Sequence, residues 1–155
     1  MNPLPTSPVS SARRATWRTA LAGLLMGAGM LAGVLTPASA WAQNKVVFQV
    51  SDNDPAKWNL ALNNVRNLQQ DLGADKLEVE LVAYGPGIHM LKLDSPVANR
   101  VAEALGRKVR IVACENTMAG LKLQRADMLP DLAYVPAGVT ELMQRQQQGW
   151  AYIRP

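Results

Sequence analysis

From residue 45 to the end of the chain, short runs rich in β-branched residues alternate with segments whose apolar residues recur at helical spacing. That alternation constrains the fold more than any other feature, because strands joined by helical crossovers pair in parallel. The run at 45–50 (KVVFQV) reads as a buried first strand. Asp54-Pro55 then supplies an N-cap and a proline at the first helical position. Trp58, Ala61, Leu62, Val65, Leu68 and Leu72 make one apolar face, and Gly73 ends that helix. Residues 76–83 (KLEVELVA) alternate, with Glu78 and Glu80 on one face, which predicts a strand with a partly exposed side.

Ser95-Pro96 repeats the cap-and-proline signal, Val97, Val101, Ala104 and Leu105 carry the second helix face, and Gly106 is its expected stop. Residues 108–113 (KVRIVA) give a third strand, with a short helix from about Asn116. A fourth strand at 133–135 is cut by Pro136, a helix follows over 138–148, and WAYI at 150–153 is the last strand. The sum predicts a three-layer α/β/α sandwich around a five-stranded, mainly parallel sheet.

The first 42 residues have a different character. They hold Arg13, Arg14 and Arg18, no acidic residue, and an uncharged run at 20–35 followed by small residues. Charged start, apolar middle and small-residue end are the parts of a secretory signal peptide. Ala38-Ser39-Ala40 and Ala40-Trp41-Ala42 both offer cleavage sites. Cleavage after Ala42 leaves one domain at 43–155 with a periplasmic destination. The competing reading is an uncleaved anchor, although the apolar run is short and diluted by glycine and alanine. After cleavage no stable membrane insertion is expected.

Taking those three arginines away from a formal charge of +4 leaves about +1. No basic stripe with interleaved aromatics remains, so nucleic acid is not an expected partner. One cysteine excludes a disulfide scaffold and a CxxC pair, and one histidine excludes zinc sites that need two. No G-x-S-x-G, P-loop or dinucleotide fingerprint is present. Asp52/Asp54 and Glu78/Glu80 read as cap and strand-surface residues rather than a catalytic carboxylate pair.

In open parallel sheets, ligands bind beyond the carboxyl ends of the strands. Those positions are 51–54, 84–90, 114–118 and 136–138, and they contain both Cys114 and His89. Cys114 stands between a strand and a helix start, where free N–H groups favour a thiolate. Glu115 opposes this, and the alternative is a small buried hydrophobe. His89 either orients the thiol or is a solvent-facing loop residue. Gly85-Pro86-Gly87, following Tyr84, is either an anion-binding nest or a tight turn with positive φ. Asn63, Asn64 and Asn67 either reach the crevice or form a solvated helix face.

Five blocks carry a resemblance: 58–64 (WNLALNN), 84–87 (YGPG), 113–118 (ACENTM), 134–139 (YVPAGV) and 149–155 (GWAYIRP). Through them the chain from 45 to 155 resembles the DsrE/DsrF-like family, especially its exported branch. The resemblance implies a five-stranded parallel sheet between helices and assembly as a trimer or hexamer. In related proteins a cysteine after the third strand carries sulfur as a persulfide, and Cys114 is the matching position. Relay members have small residues and arginines after that cysteine, where this chain has Glu115-Asn116-Thr117-Met118.

Two function classes follow. The first is a periplasmic sulfur carrier, with Cys114 and His89 as reacting groups and Tyr84, Gly85, Pro86, Gly87, Asn64, Asn116 and Thr117 as ligand-binding residues, serving a sulfur donor or acceptor protein. It needs no cofactor and no metal. The second is a non-catalytic, oligomeric small-ligand or soft-metal module, since Cys114, His89, Met90 and Met118 are ligand types that Cu(I) favours.

Overall fold

The computed structural model describes residues 44–155; the expected signal segment lies outside them. Five strands, β1 (Asn44–Val50), β2 (Leu77–Ala83), β3 (Arg110–Cys114), β4 (Ala133–Val135) and β5 (Ala151–Ile153), form one sheet in the order β4-β3-β2-β1-β5. Every pairing is parallel. The helices are α1 (Pro55–Leu72), α2 (Ala98–Gly106), α3 (Glu115–Gly120) and α4 (Gly138–Gln147). The expected α/β architecture is therefore the observed one.

Local chemistry explains the first crossover. Asp54 Oδ1 accepts from the Ala56 N–H at 2.8 Å, Pro55 opens α1, and Gly73 at φ 84° closes it by donating to the Gln69 carbonyl. The second helix departs from expectation at both ends. Ser95 and Pro96 form a preceding turn in which the Ser95 carbonyl accepts from Ala98, so α2 starts at Ala98. Gly106 stays helical, and the left-handed residue is Lys108 at φ 65°. Val109 N–H donates to the Ala104 carbonyl and Lys108 N–H to that of Leu105, a Schellman closure with lysine in the place glycine usually takes. β3 accordingly starts at Arg110, and Cys114 is its last residue.

The two faces of the sheet are covered unequally. Val46, Phe48, Leu81, Ile111 and their neighbours pack under α1 and α2, joined by Ile88, Met90 and Leu91 from the 3₁₀ stretch Gly85–Leu91 and by Met118 of α3. On the opposite face Val47, Val82, Val112 and Val135 meet Leu142, the buried large apolar side chain of α4.

Here the expectation for β2 is corrected. Glu80 is fully buried, because the alternating face it shares with Glu78 is the one α4 covers. Its Oε2 accepts from Arg110 at 2.6 Å and Arg145 at 2.8 Å, and both guanidinium groups also reach Glu141, at 3.1 and 2.9 Å. Arg145 stacks on Trp150, 4.7 Å from the ring centroid. Glu78, by contrast, makes a half-exposed pair with Lys45.

Removing one partner of a buried ionic cluster leaves the others unpaired in low dielectric, whereas an exposed pair is screened by water. Glu80→Ala is therefore expected to cost about 3–5 kcal/mol in urea denaturation, and Glu78→Ala less than about 1 kcal/mol.

Candidate functional site

The chain steps outward from β1 to β4 with its first helices on one face, then returns over the other face through α4 to place β5 beside β1. The crossovers leaving β3 and β4 thus diverge to opposite faces. This is the reversal at which open parallel sheets form a crevice. Cys114 and Val135, register partners at the ends of those two strands, stand at its floor.

Cys114 is 5% exposed. Its Sγ lies 3.9 Å from the Pro136 carbonyl, which also accepts from the Asn116 N–H at 3.0 Å. Cys114 occupies the N-cap position of α3, although the sulfur closes no strict capping hydrogen bond there. Burial pushes the thiol pKa up. The Thr117 hydroxyl and the backbone N–H groups of Gly138, Thr117 and Asn116 pull it down, and together they prevail, so the thiol is more acidic than an ordinary cysteine. Glu115 does not cancel this: its carboxylate pairs with Arg125 at 2.7 Å, and that guanidinium stacks on Tyr134.

Two glycines make the arrangement possible. A Cβ on Gly138 would lie 3.0 Å from Tyr84 Cβ and 3.2 Å from Val82 Cγ1, so its absence lets α4 start against the sheet with its N–H near the sulfur. Gly87 packs where a Cβ would collide with the Val50 carbonyl. The segment Gly85-Pro86-Gly87 is thus a tight turn opening a 3₁₀ stretch, with Gly85 at φ 53°. The Gly85 N–H donates to Thr117 Oγ1 at 2.9 Å, which ties the loop after β2 to the start of α3. Tyr84, Gly85, Asn116, Thr117 and Cys114 are accordingly gathered at one place.

His89 and Asn64 are not brought there. His89 is half-buried between Ile88 and Met90; among the described residues no hydrogen bond joins it to Cys114. Asn64 belongs to α1, whose layer covers the face opposite α4. Its neighbour Asn63 accepts from Arg100 of α2 at 2.7 Å, and the same guanidinium also donates to Asn59 Oδ1. Met90 and Met118 sit in the core beneath α1 and α2. Among the described residues, no group of three or more His, Cys, Asp or Glu side chains has metal-holding geometry.

A thiol made more acidic by folding stabilises the folded state once pH exceeds its unfolded value, about 8.5, and loses that contribution as pH falls through the lower folded value. The stability of wild type minus that of Cys114→Ala should consequently be greater near pH 9 than near pH 6 in reduced urea titrations.

The family model described as "DsrE/DsrF-like family" matches residues 44–155. A solved structure of a protein of unknown function from Methanobacterium thermoautotrophicum is 38% identical, with a TM-score of 0.69 over 72% of this chain and 99% of its own. A conserved protein of unknown function from Bacteroides thetaiotaomicron shares the fold at 12% identity, with a TM-score of 0.62 over 76% of this chain and 99% of that one. Among curated proteins there is no match to this chain. A match across the whole described domain, together with its five-stranded parallel sheet, places the chain in the DsrE/DsrF-like family.

Proposed function

We propose that this protein is an exported sulfur carrier that holds sulfane sulfur as a persulfide on Cys114. The observation that carries this reading is the seat of Cys114 at the end of β3 and the start of α3, where the Thr117 hydroxyl and the N–H groups of Gly138, Thr117 and Asn116 pull the thiol pKa down against burial. They favour a thiolate, which is the attacking form in sulfur exchange. The amino-terminal segment, read as a signal peptide, supports a periplasmic setting for the reaction.

In loading, the Cys114 thiolate attacks the terminal sulfane sulfur of a polysulfide. An S–S bond forms to Cys114, the adjacent S–S bond of the donor breaks, and the shortened polysulfide leaves with that electron pair. No external oxidant is consumed. In delivery, an acceptor thiolate attacks the outer sulfur and Cys114 departs as thiolate, which the same four donors stabilise. At 5% exposure, Cys114 suits a slender inorganic polysulfide better than a bulky persulfide or a protein disulfide.

Intact mass spectrometry after polysulfide treatment tests this. Wild type should gain one or more sulfur atoms reversibly on reduction, and Cys114→Ser should gain none. A native protein that takes up no sulfur and whose thiol labels only after unfolding would overturn the reading.

A further inference from the structure

The apolar stripe of α1 runs one turn past the core that it covers. Trp58, Ala61, Leu62 and Val65 are buried, yet Leu68 is only half-buried and Leu72, on the same face, is 41% exposed. Those two leucines line a groove of about 380 Å³, together with Val46, Leu77 and Ile153 and, at the start of β1, Asn44. The sheet leaves the groove open because β5 is three residues long and meets β1 only from Val46 onward. The chain therefore enters the domain beside it. The residues just before Asn44 are Trp41-Ala42-Gln43, and Trp41 is the one large apolar side chain in 36–43. An extended residue spans about 3.3–3.6 Å, so the Trp41 backbone stands no more than about 11 Å from that of Asn44.

The two cleavage sites offered by the leader differ in this residue. Cleavage after Ala40 makes Trp41 the first residue of the mature chain, and cleavage after Ala42 discards it. We propose that the mature chain begins at Trp41 and that its indole folds back into the groove between α1 and β5, completing the core at the amino edge of the sheet. An exposed leucine face and a free indole each keep apolar surface in water, and seating one on the other removes both. The short tether keeps the entropy cost of closure small. Gln43 alone, the remnant of the other cleavage, brings no apolar group to the groove. The position of cleavage rests on the protein being exported; the docking of Trp41 does not, and neither involves Cys114.

Two measurements on the protein produced from its full chain in an exporting bacterium test this. Intact mass of the product should match a first residue of Trp41, and a first residue of Gln43 overturns the proposal. A product that keeps its leader defeats both the export reading and the cleavage position, and the docking is then decided on that protein by the second measurement. Hydroxyl-radical footprinting, read residue by residue by mass spectrometry, should find Trp41 oxidised roughly tenfold more slowly in native protein than in urea, as a seated aromatic side chain requires. Leu72→Gln keeps a good helix former in place. It should speed native oxidation of Trp41 roughly threefold, while Trp58, 3% exposed, stays protected as the sign of an intact fold. Equal rates for Trp41 in native and denatured protein overturn the docking, as does a Leu72→Gln variant in which Trp41 stays as protected as before. Free reaction of Trp41, with Leu72 gaining protection as concentration rises, assigns the groove to a second copy and overturns it too. Polysulfide uptake enters none of these outcomes, so this proposal and the carrier reading fail separately.

Discussion

The whole site depends on how α4 is held to its face of the sheet. That helix is the cover for the strand residues opposite α1 and α2, and Leu142 is its buried apolar anchor. One such anchor does not fix a helix in rotation or along its axis. Glu80 does so by accepting from Arg110 on β3 and Arg145 on α4, while Glu141 of the same helix binds both guanidinium groups. Burying ionised groups costs several kcal/mol each, and their mutual attraction returns roughly that amount. What the cluster adds is therefore position: α4 is pinned at Glu141 and Arg145, about one and two helical turns from its amino end, and Trp150 beneath Arg145 closes the other side.

Position at that end has a chemical consequence. With α4 seated, the N–H of Gly138 joins those of Asn116 and Thr117 around a sulfur that burial alone would hold protonated. The balance is between two opposed effects of one place. Removal from water disfavours the thiolate, and preorganised donors in low dielectric favour it more strongly than they would in water. Leaving Gly138 without a Cβ, against Tyr84 and Val82, is the steric condition for that outcome.

Much of this was legible in the residues, for reasons that differ by element. Asp54-Pro55 and Gly73 bound α1 because caps act over a few neighbours in sequence. Cys114 could be put at the carboxyl edge because β-branched runs locate strands. Glu80 was misread as surface because alternation shows that two residues share a face, not what lies over it. Gly106 was a reasonable stop signal, but the hydrogen bonds of Val109 and Lys108 placed the closure two residues later. The roles of Gly138 and Pro136 were missed because they act through backbone N–H and C=O groups that nearly every residue carries; a glycine opening the helix after β4 was the one available hint. His89 shares an edge with Cys114 in sequence terms, yet it lies within the 3₁₀ stretch and, among the described residues, makes no hydrogen bond to Cys114.

The account turns on whether folding makes Cys114 more acidic despite burying it. The most direct measurement is ultraviolet titration of the thiolate in the native protein and again in denaturant, with Cys114→Ser subtracted as background. The account predicts a native midpoint below the unfolded one. A native midpoint equal to or above the unfolded value would contradict it, making Cys114 a packing residue and removing the basis for sulfur chemistry at this site.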